Sequence, residues 1–333
     1  MGLQAQIPNS PYIGLWTRLA GFRPDDLARL ITARRVVRVP LMRGTIHLVT
    51  ARDCLALRPL VQPVLERALK GSFGRQLAGM DIRAIAAAGR ALLEEQPRTG
   101  AALGGLLQKR WPDRDARTLA YAVQYLEALV QVPPRGVWGA SGQATWTTVE
   151  AWLDHRLASK PSPDRMIMRY LAAFGPATAR DMRAWSGVTR LREAAERLRP
   201  RLRTFRNEHG LELFDLPDAP RPAPDTPAPP RFLPFYENAL LSYADRSRFI
   251  PHGPRGQVFT SEGMLVGTVL IDGFLGARWK ISRDRGKATL LIEPFQRLRK
   301  QDRDALAGEG ARLVAFAAAD AQTRDVRFGP PLN

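Results

Sequence analysis

The sequence predicts an α+β protein built from tandem winged-helix domains and a β-rich C-terminal domain. Three observations carry that expectation. The order helix, helix, basic helix, two short strands recurs at a spacing of about 70 residues. A proline-rich break follows at residues 217–231, and beyond it the apolar period changes to two.

Three copies of the order are expected, the first incomplete at its N-terminus. Pro24-Asp25-Asp26 starts a helix, with carboxylates at its positive end, that runs through LARLITARR. VVRVPLMRGTIHLV (36–49) then reads as a two-stranded ribbon. Thr50, with Asp53 three residues on, caps the following helix, where Cys54 reads as a small buried hydrophobe. In the second copy DIRAIAAAGRALLEEQ is helical up to Pro97, and TGAALGGLLQKRW is a short helix. Asp113 or Asp115 caps ARTLAYAVQYLEAL, and VQVPPRGVWG and QATWTTV read as strand, tight turn, strand.

The third copy follows the linker SKPSPD (159–164). RMIMRYLAAFG and PATARDMRAWSG supply two helices, and TRLREAAERLRPRL is the expected recognition helix. LRTFRNEHGLELFDLP is a hairpin that turns at Asn207 to Gly210. Beyond the break, RSRFI, GQVFT, MLVGTVLIDG, LGARWKIS and ATLLIEPF predict a small antiparallel barrel-like domain. The helix DRDALAGEGARLVAFA closes it. The expected divisions are winged helix 1 with its connecting helices at 1–75, winged helix 2 at 76–158 and winged helix 3 at 163–217. The linker takes 218–231 and the barrel-like domain 232–333.

Charge narrows the partner. A formal net charge of +18 points to a polyanion, most often nucleic acid. Of the 50 basic residues 44 are Arg, a skew that GC-rich codon usage produces, but codon usage does not explain the excess over acids. One cysteine excludes a disulfide framework and a CxxC metal site, and His47, His155, His209 and His252 are scattered. No metal or cofactor is expected. Neither a membrane span nor a signal peptide is legible, so a cytoplasmic, nucleoid-associated monomer is expected.

Nine arginines against three acids lie between Arg180 and Arg206. Arg190, Arg192 and Arg197 are candidate phosphate contacts there, as are Arg199, Arg201 and Arg203. Further candidates are Arg43 and His47 on the first ribbon, and Arg114, Arg117 and Arg135 in the second copy. Arg297, Arg299 and Lys300 form a basic segment near the C-terminus. Neither GxSxG nor a Walker loop is present, so ordinary nucleophilic and NTPase chemistry have no support.

Four blocks resemble one family. GLQAQIPNSPYIGLWTRLAGFRPDDLARLI, VPLMRGTIHLVTARD, LPFYENALLSYADRSRFIP and VLIDGFLGARWKI are similar to the winged-helix DNA glycosylases of the AlkZ-like, azinomycin-resistance type. The resemblance implies tandem winged helices joined to a β-barrel in a C shape around DNA. It also implies excision of bulky N-alkylated purines, crosslinked ones included, in repair or genotoxin self-resistance. The family motif is Gln-aliphatic-Gln, which Gln4-Ala5-Gln6 matches position for position. A related branch carries Asp in the third place and unhooks interstrand crosslinks; Gln6 sets this chain apart from it. In the family a further helical repeat precedes the motif, whereas Gln4 stands near the start of the chain, where an untied strand frays.

The motif makes chemical sense. An N7- or N3-alkylated purine is cationic and already activated for departure, so a strong base is dispensable. What remains is to hold a water against C1′ and stabilise an oxocarbenium-like sugar, which amide oxygens can do. On an extended segment Gln4 and Gln6 share a face, with Ala5 opposite. A monofunctional glycosylase acting on double-stranded DNA is the expected activity. Two alternatives need neither glutamine: a non-catalytic DNA-binding or regulatory protein, and an RNA-associated or scaffold protein.

Overall fold

The computed structural model describes residues 1–250 and 266–332. They form a mixed α+β structure that divides into two compact units, Met1–Asn9 with Arg23–Ala219, and Ser10–Phe22 with Pro220–Asn333.

The first unit is organised by a six-stranded sheet in the order β1-β3-β2-β5-β6-β4. Its strands are β1 (Leu3–Gln4), β2 (Val36–Pro40), β3 (Ile46–Thr50), β4 (Arg98–Thr99), β5 (Leu129–Gln131) and β6 (Thr145–Thr148). The pair β2–β3 is the expected ribbon, and β1 pairs antiparallel with β3 through Leu3↔Leu48 and Gln4↔His47. Ala5 extends the ladder by donating its N–H to the Ile46 carbonyl at 2.7 Å. The start of the chain is therefore tied down rather than frayed, and Ala5 is fully buried.

Helices fill the intervals. Counting from α1 (Ser10–Trp16), which packs in the second unit, α2 is Pro24–Thr32 and α3 is Ala51–Phe73. Thr50 caps α3 by accepting the Asp53 N–H at 3.1 Å. The helix runs on through Pro59, which cannot donate to the Leu55 carbonyl; that carbonyl takes the Ala158 N–H at 3.0 Å instead. Next come α4 (Ile82–Glu95), α5 (Gly100–Gln108), α6 (Ala116–Leu126) and the short α7 (Val149–Leu153). Of the two proposed caps, Asp115 is the one that accepts the Thr118 N–H, at 2.7 Å. Leu93, Leu103, Leu107, Leu119 and Val123 build an apolar core among α4, α5 and α6. The expected tight turn between β5 and β6 is a thirteen-residue loop instead, because Pro133 and Pro134 can donate nothing to a ladder.

After α7 come α8 (Pro163–Phe174), α9 (Ala179–Ser186) and α10 (Leu191–Leu198), then the hairpin β7 (Arg203–Arg206) and β8 (Glu212–Asp215). Thr178 and Asp181 form a reciprocal capping box on α9. Tyr170, Phe174 and Trp185 pack ring against ring between α8 and α9. Asn207 closes the hairpin turn, accepting the Gly210 N–H at 2.9 Å.

The second unit corrects the expected barrel. Among the described residues five strands, β9 (Arg231–Leu233), β10 (Gly267–Ile271), β11 (Phe274–Asp284), β12 (Lys287–Pro294) and β13 (Thr323–Phe328), make one open sheet in the order β13-β12-β11-β10-β9. The pair β12–β13 is parallel, because α12 (Lys300–Ala317; α11 is Asn238–Leu241) crosses over between them. Leu306, Leu313 and Val314 of α12 cover one face, burying Phe232, Val269, Leu290 and Ile292. A sheet covered by a helix has no need to close on itself. RSRFI, expected as a strand, forms turns, and GQVFT (256–260) lies outside the described residues.

Candidate functional site

Strand β1 ends on the motif. Gln4 is buried and Gln6 exposed, yet their side chains meet: Gln4 Nε2 donates to Gln6 Oε1 at 2.7 Å. The two amides thus share a face, with Ala5 turned into the core.

Two arginines brace this segment. Arg43 Nη2 donates to Gln4 Oε1 at 3.1 Å, and its Nη1 donates to the Trp185 carbonyl at the end of α9. The guanidinium fork therefore bridges the ribbon and the third helical group. Arg43 holds a left-handed backbone, φ 55°, in the turn between β2 and β3. Gly187, at φ 77°, lets the chain after α9 approach; a Cβ there would lie 2.9 Å from Val64 Cγ1.

Arg38 is the second brace. It is 2% exposed, in a central strand, and its Nη2 donates to the Ala5 carbonyl at 2.7 Å. The same guanidinium bonds Gln131 Oε1 at 3.1 and 3.2 Å. Gly136, at φ 90°, makes room, since a Cβ would stand 2.5 Å from Arg38 Cδ. Sequence reading passes over Arg38 because an arginine inside an alternating ribbon reads as solvent-facing; the apolar run on both sides of it is the available signal.

His47 stands opposite Gln4 in the ladder and is 1% exposed. Burial, then the Arg43 charge, holds its imidazole down at about 3, so it is neutral near pH 7. Its Nδ1 faces the Thr45 carbonyl at 2.9 Å. Neutral and enclosed, it sits beside Gln4 in the ladder. Cys54 is buried and its thiol is pushed up to about 12, which leaves it unreactive.

The remaining basic candidates are dispersed. Arg190, itself left-handed at φ 60°, and Arg192 line a concavity of 420 Å³ with Arg180 and Arg183. Arg197 pairs with Asp164 at 2.7 Å, and Arg199 grips both carboxylate oxygens of Glu212 at 2.8 and 2.9 Å. Arg203 stands over the Phe205 ring, and Arg201 ends the turn after α10. Arg114 lies in the turn before α6, and Arg117 stands over the Tyr121 ring. Arg135 folds back to the Gly142 carbonyl at 3.0 Å. In the second unit Arg297 is exposed, Arg299 pairs with Asp302 at 2.7 Å, and Lys300 opens α12.

Fold and site together define a class: a basic, mixed α+β protein that presents a braced amide pair at the edge of a sheet. The sequence profile described as "DNA glycosylase AlkZ-like" matches residues 1–316, and the chain belongs to that family of DNA glycosylases. Among solved structures, the Streptomyces sahachiroi DNA glycosylase AlkZ is similar over 98% of this chain and 91% of that one, with a TM-score of 0.79 and 22% identity. That likeness is one of fold. No match was found among curated proteins. Among the described residues no helix is long and apolar enough to cross a membrane.

Proposed function

We propose that the protein is a monofunctional DNA glycosylase that hydrolyses the N-glycosidic bond of cationic N-alkylated purines, of the N7-alkylguanine type, in double-stranded DNA. The observation that carries this is the amide pair, with Gln4 Nε2 held 2.7 Å from Gln6 Oε1 and Gln4 Oε1 held by Arg43.

Bonding divides the labour. Gln4 is committed at both ends of its amide, to Arg43 and to Gln6, so it acts as the fixed member. Gln6 is exposed, and its oxygen keeps a second lone pair that can accept from a water. The water oxygen attacks C1′, the C1′–N9 bond breaks, and its electron pair neutralises the cationic base. The surplus proton passes to solvent, since an amide does not take it. His47 is too enclosed and too weakly basic to serve as the base, and a cationic leaving group does not require one. Stabilisation comes from oriented amide dipoles beside the developing positive sugar.

The successive helix, helix, helix and strand-pair groups at α4–α6 with β5–β6 and α8–α10 with β7–β8 support winged helices as the DNA-gripping elements. Arg190 and Arg192 would act as phosphate contacts. The test is incubation with a duplex carrying N7-methylguanine. Free base with an intact strand, cleaved only on alkali treatment, is expected. Binding without release would instead support a non-catalytic DNA-binding protein.

A further inference from the structure

A second basic surface belongs to none of the groups above. Arg34, Arg35, Arg52, Arg156, Arg165 and Arg169 line one concavity of 1150 Å³ in the first unit, at the start of α3. They come from the turn after α2, the first turn of α3, the chain after α7, and α8. The sole carboxylate in the lining is Asp53, already engaged by Arg169 and 3.9 Å from Arg165. Among the described residues Arg35, Arg52 and Arg156 make no ion pair.

Like charges gathered in this way repel one another, and an anion would relieve the repulsion. The lining indicates which anion. Its one large aromatic, Trp152, has a face covered by the Arg34 guanidinium at 4.1 Å, and Arg34 also donates to the Trp152 carbonyl at 3.0 Å. A base or nucleoside has little aromatic platform left to stack on. Arg35, Arg52 and Arg156 are exposed, and the cavity exceeds the size usual for a small-molecule site. Charge without stacking or enclosure suits a run of phosphates.

Position supports the same reading. The concavity includes Thr50, three residues along β3 from His47, which pairs with Gln4. At about 3.3 Å per residue its near edge lies about 10 Å along the strand from the motif, on the order of three base steps of duplex.

We propose that this concavity binds the phosphodiester backbone of duplex DNA a few nucleotides from the excised base. The inference rests on the reading of DNA as substrate, but it is tested apart from catalysis. Binding of an undamaged duplex is measured by fluorescence anisotropy between 50 and 200 mM salt. For R35A/R52A/R156A the log–log salt slope should flatten by about 0.9 for each phosphate that the variant no longer neutralises. Three fewer neutralised phosphates would narrow the affinity gap to the unsubstituted protein about 40-fold over that range. R35K/R52K/R156K, which keeps the charges, should stay near the original slope. K70A/R75A/R83A removes as much charge from the opposite end of α3 and the start of α4 and should leave the slope unchanged. Gln6→Ala should also bind with the original slope while losing excision. A slope unaltered in R35A/R52A/R156A, or altered equally in K70A/R75A/R83A, overturns the inference. Excision that survives Gln6→Ala overturns the role of the amide pair, and absence of base release by the unsubstituted protein overturns the proposed function instead.

Discussion

At the scale of single residues the proposed chemistry turns on which side chains are free to meet a water. Gln4 is bonded at both amide atoms and Gln6 at one, so replacing Gln6 by Ala removes the water-facing oxygen itself. In the proposed mechanism Arg43 acts one step back, as a positioning residue. Arg43→Ala should lower kcat by about 10²-fold, the scale of one missing preorganised donor, while KM moves little. Arg43→Lys should recover only part of that, because an ammonium on a flexible stem does not bridge the Trp185 carbonyl and Gln4 Oε1 as a planar fork does. His47 makes a different prediction. Its folded value near 3 lies below its unfolded value of 6.5, so the unfolded chain binds the extra proton first. Stability should therefore fall as the pH drops from about 6.5 towards 3, by at most about 1.4 kcal/mol per pH unit. Urea titrations at a series of pH values check this, and His47→Gln should flatten the dependence.

At the scale of elements, the motif is held because a two-residue strand is braced from below as well as paired from the side. The brace depends on Gly136, whose missing Cβ leaves space for Arg38. Gly136→Ala should lower the urea midpoint by roughly 1–3 kcal/mol equivalent at an unchanged m-value. Thr50→Ala should cost about 1 kcal/mol through removal of the cap on α3. Most of these elements were legible in the sequence because their signals are local. Thr50, and Asp113 or Asp115, announce helix starts, and the alternation of 36–49 announces its ribbon. The open sheet was not legible. Period-two segments do not say whether a crossover helix will make the last pair parallel, and α12 does so. The braces were not legible either. Arg38 meets Gln131 across 93 positions and Arg43 meets Trp185 across 142, and no spacing rule connects residues that far apart.

At the scale of the whole molecule, the charge of +18 is unevenly deployed. Arg199, Arg197 and Arg299 are held by carboxylates, whereas Arg190, Arg192 and the arginines beside α3 line open concavities. Total charge therefore points to a polyanion, and only the folded arrangement separates arginines held by carboxylates from arginines that line concavities. The motif itself was legible through the family likeness, and the fold adds what holds it in place: sheet pairing and hydrogen bonds from two arginines. The most direct test is the single-turnover rate of N7-methylguanine release from duplex DNA by the unsubstituted protein, Gln4→Ala and Gln6→Ala, each with its duplex affinity measured alongside. A drop of about 10²–10³-fold in rate at nearly unchanged affinity is predicted for both variants. Release by Gln6→Ala at the rate of the unsubstituted protein would contradict the assignment of the amide pair as the water-holding site.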